Sequence, residues 1–158
     1  MKTSIIFISS HGTTEKIAKM IKAELSEQDI EVVNLKENKK PDLKEADQII
    51  LGASIHAGTI PKRMQKLMTE NSTLLKSKKL GLFLCCMEEG EKAREQFENA
   101  FPEELREYAK SAKLLGGEFV FEKMNFFEKT IVKKIAGVNG STSKIKVDEI
   151  KKFANTFN

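Results

Sequence analysis

Four hydroxyl side chains flank a glycine in residues 9–14, directly after a short apolar run at the start of the chain: Ser9, Ser10, His11, Gly12, Thr13 and Thr14. If a helix begins here, its first amides have no backbone partner, and glycine lets the chain turn without a β-carbon clash. Amides and hydroxyls together can hold a phosphate without a lysine. The alternative is that one hydroxyl only caps the helix, which needs a single such residue. Four hydroxyls favour the phosphate site.

The elements that position this loop are predicted from the apolar pattern, which alternates between strand and helix spacing. Strands are predicted at residues 4–8, 30–35, 48–54 and 80–87, and within 113–122, centred on 118–121. Helices are predicted at residues 13–26, from Pro61 onward, around 93–105, and at 125–136 and 147–157. We therefore expect one α/β domain spanning residues 1–158: a five-stranded parallel sheet of order 2-1-3-4-5, with helices on both faces.

In such a sheet the ligand lies beyond the carboxyl ends of the strands, so the loops after strands one, three and four form the site. The first loop lacks the Gly-Lys-Ser/Thr ending of a nucleotide-binding P-loop and the G-x-G-x-x-G pattern of dinucleotide sites. A monophosphate such as FMN is then the natural ligand.

Four segments, including the loop at residues 9–14, carry a family resemblance. That loop resembles the S/T-x-x-G-x-T phosphate loop of flavodoxins, and residues 47–54 (DQIILGAS) resemble the third strand of that family. Residues 55–61 (IHAGTIP) and 123–137 (KMNFFEKTIVKKIAG) resemble the flavodoxin branch that contains menaquinone-dependent protoporphyrinogen oxidase.

The resemblance implies a three-layer flavodoxin-like fold that binds the FMN phosphate at residues 9–14. It further implies that the isoalloxazine ring is flanked by Ser54, Ile55, His56, Ala57 and Gly58, and by Cys86, Met87, Glu88, Glu89 and Gly90. The function implied is a two-electron oxidoreductase with a quinone and a porphyrinogen as partners. The alternatives are an electron carrier for a redox protein and a flavin-free binding domain.

The sequence leaves open which side chains contact the flavin ring. Flavodoxins usually place a Trp or Tyr on the flavin, whereas this chain has no Trp and a single Tyr, Tyr108, far from the loops. His56 could stack instead, or the contact could be aliphatic or backbone. His11 is either an exposed loop residue or a phosphate contact. Glu88 and Glu89 either touch the ring edge or begin the next helix, where carboxylates suit the helix dipole.

The charge of the chain bears on its partners. Twenty-seven Lys and Arg against 23 Asp and Glu give a net charge of +4. The lysines alternate with glutamates and no aromatic–basic motif accompanies them, so we expect no nucleic-acid partner. An acidic carrier for basic proteins is disfavoured, whereas a substrate with carboxylates suits a basic protein. Lys62 and Arg63 are either contacts for such carboxylates or solvated residues at a helix start.

Residues 125–136 combine apolar and basic side chains, including Phe126, Phe127, Lys133 and Lys134. This pattern fits either an amphipathic helix packed on the sheet or a peripheral contact with anionic lipid or a quinone. The absence of a signal-like or membrane-spanning run predicts a cytoplasmic protein. Cys85 and Cys86 are neighbours on a predicted strand, so they should point to opposite faces as buried thiols rather than pair in a disulfide. With two histidines and no spaced cysteine pair, the sequence predicts no metal site.

Overall fold

The computed structural model describes residues 1–26 and 29–158. Its central sheet contains β1 (Lys2–Phe7), β2 (Asp29–Asn34), β3 (Gln48–Ser54), β4 (Lys79–Cys85) and β5 (Ser111–Leu114). The strand order is β2-β1-β3-β4-β5, and every neighbouring pair is parallel. The predicted α/β class and strand order are confirmed.

Helices cover both faces of this sheet. They are α1 (Thr13–Glu24), α2 (Lys62–Glu70), α3 (Ser72–Lys76), α4 (Gly90–Ala100), α5 (Glu103–Tyr108), α6 (Phe126–Ala136) and α7 (Val147–Asn155). One apolar cluster packs α1 and α7 against one face of the sheet. A second packs the helices α2, α3, α4 and α5 against the opposite face. Cys85 belongs to the first cluster and Cys86 to the second, so the adjacent thiols point to opposite faces as expected. The result is a three-layer sandwich.

The middle of the sheet is held by a cross-strand contact between β3 and β4. Gly52 and Phe83 are register partners, and the Phe83 ring fills the space that a side chain at residue 52 would occupy. Phe83 is fully buried, and it also packs edge-on against Phe153 of α7. The glycine in β3 therefore lets an aromatic ring pack directly on the backbone of the neighbouring strand.

The predicted position of the fifth strand was wrong. β5 is Ser111–Leu114, whereas Glu118–Phe119 (β6) pairs antiparallel with Thr142–Ser143 (β7) outside the main sheet. The chain leaves the sheet at Gly116, which has φ +79 and approaches the Lys144 carbonyl so closely that a β-carbon would not fit. β5 is a half-exposed edge strand with the sequence SAKL, so it lacks the apolar run that marks the buried strands.

Smaller differences concern the helices. The first helix ends at Glu24 rather than at residue 26. The helix that follows Pro61 breaks at Asn71 into α2 and α3. The helical region after β4 breaks at Phe101 and Pro102 into α4 and α5, because proline suits the first turn of a new helix and not the interior of an existing one.

An insertion separates β5 from α7 and returns the chain to the carboxyl ends of the strands. It contains β6, a short 3₁₀ helix (Phe121–Lys123), α6 and β7. α6 begins with a reciprocal capping box between Asn125 and Glu128 and ends at Gly137, which has φ +65. None of its described side chains is buried. Among the described residues, no helix is long and apolar enough to cross a bilayer.

Candidate functional site

A cavity of about 390 Å³ opens where the carboxyl ends of the strands meet the insertion. Its volume falls in the usual range of small-molecule sites. Twelve of the sequence-predicted residues line it: Ser9, Ser10, His11, Thr13, Ser54, Ile55, His56, Ala57, Gly58, Cys86, Met87 and Glu88. Parallel pairing brings the loops after β1, β3 and β4 to one edge, which is why residues so distant in sequence meet here.

Four predicted residues lie outside the cavity lining. Gly12 borders a shallow depression on the outer side of its loop, and Thr14 is fully buried beneath the loop. Glu89 and Gly90 are exposed at the start of α4, where Glu89 is the residue before the first turn. The Glu89 carboxylate lies 3.6 Å from the Lys144 ammonium. These contacts favour the helix-start role for Glu89.

The loop at residues 9–14 has the geometry of an anion site. Gly12 has φ +90, which favours glycine, and its N–H donates to Ser9 Oγ at 2.9 Å. Within the described part of the chain, no side chain caps the first turn of α1. The Thr14 hydroxyl is buried and has no hydrogen-bond partner among the described residues, although the Cys85 thiol, a weak partner, is close by. The uncapped amides at the start of α1, with the hydroxyls of Ser9, Ser10 and Thr13 lining the cavity beside them, fit a phosphate.

A lysine from the insertion supplies positive charge to this loop. Lys123 places its Nζ over Gly12, so that a β-carbon on residue 12 would lie 2.9 Å from it. The Lys123 side chain also borders the depression beside the loop, together with Lys16 and Lys19. Sequence reasoning missed this contact, because the two residues are far apart in the chain and only the fold brings them together.

Apolar side chains form a further part of the cavity lining. They are Ile55 after β3, Met87 after β4, Phe119 of β6, and Ile131 and Val132 of α6. Phe119 is the one phenylalanine that lines the cavity among the described residues, and sequence reasoning assigned it to a strand of the sheet instead. It joins His56 as an aromatic side chain that could contact a planar ring. A cavity that combines apolar side chains with a loop suited to an anion suits a ligand with a flat ring and an anionic tail.

The two cysteines border the cavity as neutral thiols. Burial raises the pKa of Cys85 to about 12, and the Thr14 hydroxyl partly offsets that rise. Burial also raises the pKa of Cys86, while a hydrogen bond to the Glu88 backbone lowers it. Thiols with raised pKa values are poor nucleophiles and poor metal ligands at neutral pH. At neutral pH both cysteines are therefore present as thiols and not as thiolates.

His11 and His56 face each other at the rim of the cavity, with ring centroids 6.2 Å apart. Glu128 of α6 approaches from the insertion, and its Oε1 lies 3.4 Å from His11 Nε2. Both predicted histidines are thus brought into the site. Glu128 is an addition that the sequence did not reveal.

The basic residues that follow the loop after β3 play a different part. Arg63 donates from Nη1 to the Leu35 carbonyl at 2.7 Å, which ties α2 to the end of β2. Lys62 is exposed at the start of α2. Neither residue lines the cavity in the described structure. The interpretation of Arg63 as a structural contact and of Lys62 as a solvated residue is favoured.

Comparison with known proteins agrees with this geometry. The family model described as "Flavodoxin domain" matches residues 4–146. Oxidised flavodoxin 1 from Bacillus cereus superposes with a TM-score of 0.60 and 23% identity, covering 99% of this chain and 97% of that one. Flavodoxin 2 from the same organism superposes with a TM-score of 0.62 and 22% identity, covering 99% and 97%. These likenesses show the shared fold.

A curated enzyme of Escherichia coli strain K12 is also similar. It is described as protoporphyrinogen IX dehydrogenase [quinone], and it is 33% identical over 79 residues. The match covers 49% of this chain and 44% of that enzyme, so it spans less than half of the relative. Since the family model covers nearly all of the chain, including every loop of the cavity, the chain belongs to the flavodoxin domain family.

Proposed function

We propose that the chain binds FMN in the cavity and acts as a two-electron oxidoreductase that passes electrons to a quinone. The observation that carries the FMN part is the uncapped start of α1, together with the hydroxyls of Ser9, Ser10 and Thr13 that line the cavity beside it. A phosphate would supply the missing acceptor for these donors. Sequence resemblance and membership of the flavodoxin family support the same ligand.

Individual residues have separate parts in this proposal. Ser9, Ser10, Thr13 and Thr14 would hold the phosphate with the first amides of α1, and Lys123 would offset its charge. Ile55, Met87 and Phe119 would pack on the ring and exclude water from it. Bound FMN supplies reversible two-electron chemistry, so no protein nucleophile is needed. The neutral Cys85 and Cys86 thiols are consistent with that division of labour.

The substrate class is inferred from the similar E. coli enzyme, whose name gives protoporphyrinogen IX and a quinone. The lining of the cavity supports an apolar substrate, because Ile131 and Val132 of α6 contribute to it together with Met124, which precedes that helix. The net charge of +4 suits a substrate that carries carboxylates.

A peripheral membrane contact is part of the proposal. Phe126 and Phe127 on α6 are each 78% exposed, and Ile131 is 55% exposed. Lys129, Lys133 and Lys134 lie on the same helix. An exposed apolar patch with lysines around it matches a surface that rests on anionic lipid, where a quinone would be supplied.

The decisive experiment is an anaerobic assay of the full chain loaded with FMN. Protoporphyrinogen IX and a menaquinone analogue are added, and the fluorescence of the porphyrin product is followed. We expect turnover that needs both the protein and the quinone, above the rate with free FMN. Absence of turnover would contradict the enzyme proposal. If the same sample is then reduced reversibly in one-electron steps, the electron-carrier alternative takes its place.

A further inference from the structure

Three potential metal ligands meet at the rim of the cavity from three separate elements. His11 follows β1, His56 follows β3, and Glu128 lies in the first turn of α6. One ligand atom from each side chain lies within 4.8 Å of the other two. The chain contains two histidines in all, and both are in this cluster. Such convergence is not required by the core, since none of the three residues is buried.

We propose that His11, His56 and Glu128 form a binding site for a divalent transition metal of the zinc class. The distance between His11 Nε2 and Glu128 Oε1 is 3.4 Å. That is longer than an ordinary N–H···O hydrogen bond. Two ligands that are each roughly 2.1 Å from a tetrahedral ion stand roughly 3.4 Å apart, so the spacing suits a shared metal.

The carboxylate is held in place by contacts of its own. Glu128 Oε2 accepts a hydrogen bond from the Asn125 N–H at 3.0 Å, while Asn125 Oδ1 accepts from the Glu128 N–H at 2.9 Å. This leaves Oε1 facing His11. A hydrogen bond to the carboxylate oxygen that does not face the metal fixes the orientation of a metal-binding carboxylate.

The loop that carries His56 is also constrained. His56 N–H donates to the Thr59 carbonyl at 2.8 Å, and Thr59 N–H donates back to the His56 carbonyl at 3.3 Å. Between them Ala57 adopts φ +51 and Gly58 φ +79, which closes a tight turn. His56 therefore projects from a short hydrogen-bonded loop.

The ligand set selects the metal. Two imidazole nitrogens and one carboxylate oxygen suit Zn²⁺, Co²⁺ or Fe²⁺, whereas Mg²⁺ and Ca²⁺ prefer oxygen ligands alone. Three protein ligands leave a fourth position for water or a ligand from the cavity. The metal would link the phosphate loop, the loop after β3 and the insertion, and so fasten α6 over the cavity. The three ligands line the cavity that we assign to FMN, but the metal proposal rests on their mutual geometry alone and not on a bound flavin.

The test uses the full chain without added flavin. Co²⁺ is titrated in, its visible absorption reports nitrogen and oxygen ligands, and Zn²⁺ is then used as a competitor. His11→Ala, His56→Ala and Glu128→Gln should each weaken Co²⁺ binding more than about tenfold. Gln can still serve at the third position of a capping box, so Glu128→Gln preserves the start of α6. Glu122→Gln, which alters an insertion carboxylate outside the cluster, should bind Co²⁺ like the wild type.

Hydrogen exchange provides a second measurement. Zn²⁺ should slow amide exchange in residues 126–136 of the wild type and leave the rate in Glu128→Gln unchanged. Absence of saturable Co²⁺ binding would overturn the proposal. So would Co²⁺ binding that survives Glu128→Gln at full strength, because the metal would then have no link to α6.

Discussion

Lys123 sits directly over Gly12, with its ammonium 2.9 Å from the place where a β-carbon on residue 12 would lie. Gly12 belongs to the loop before α1, and Lys123 ends the 3₁₀ helix of the insertion. The insertion thus reaches the loop that we assign to the FMN phosphate. A second link joins the same two regions, since Lys16 of α1 and Glu118 of β6 form an ion pair at 2.7 Å.

Lys123→Gln should weaken FMN binding by about two- to fivefold at low salt, because an exposed charge pair contributes about 0.5–1 kcal/mol. The difference from the wild type should shrink as salt is added. The measurement is an FMN titration at two salt concentrations. Lys133→Gln is the matched control, because it removes the same charge from the exposed side of α6. Equal losses in the two variants would mean that only net charge matters.

Phe126→Ser combined with Phe127→Ser should reduce binding to anionic vesicles by at least about tenfold, since each buried aromatic contributes about 1.5–3 kcal/mol. The measurement is co-sedimentation with vesicles of phosphatidylglycerol and phosphatidylcholine. Tyr108→Ser, which removes an exposed aromatic side chain from α5, should pellet like the wild type. Undiminished pelleting of the double variant would refute the membrane contact.

The stability of the wild type should fall in alkaline solution because of Cys85. Its folded pKa of about 12 exceeds that of an unfolded thiol. The stabilisation is complete below the unfolded pKa and is lost as pH rises towards the folded value, at about 1.4 kcal/mol per pH unit. Urea unfolding at neutral pH and at about two units higher, for the wild type and Cys85→Ser, measures the difference. Identical losses of stability would show that Cys85 titrates normally.

Gly52→Ala should destabilise the fold by about 1–3 kcal/mol, because the new methyl group would overlap the Phe83 ring. Phe83→Leu should cost less in the Gly52→Ala background than in the wild type, since it relieves that overlap. Urea unfolding of the four proteins completes the double-mutant cycle. Gly140→Ala is the control, because open space surrounds residue 140. Additive effects would contradict the direct contact.

The sequence was sufficient to predict the buried strands of the sheet. β1, β3 and β4 are nearly continuous apolar runs, and their pattern with the helices between them dictates a parallel sheet. β5 was not predicted in its correct place because an edge strand needs no such apolar run. The fifth strand was assigned instead to the apolar residues around Phe119, which belong to β6. Local periodicity does not distinguish a strand of the main sheet from a strand of a small hairpin.

The candidate site divides in the same way. The loop at residues 9–14 and the loop after β3 could be predicted as parts of the site, because each has characteristic residue types and directly follows a predicted strand. Lys123, Phe119 and Glu128 were not assigned to the site, because their contacts with it depend on how the insertion folds back. Glu128 and His11 are 117 positions apart, and the local sequence around either residue does not predict their contact.

We assign the loop before α1 to the phosphate of FMN, and a comparison of FMN binding with riboflavin binding tests this assignment most directly. The full chain freed of flavin is titrated with each compound while the flavin fluorescence is recorded, for the wild type and for Ser9→Ala with Thr14→Ala. The wild type should bind one FMN and prefer it strongly over riboflavin. The double variant should lose about 1–3 kcal/mol for FMN and little for riboflavin. Equal affinity of the wild type for the two compounds, or no binding of FMN by the folded chain, would contradict the claim.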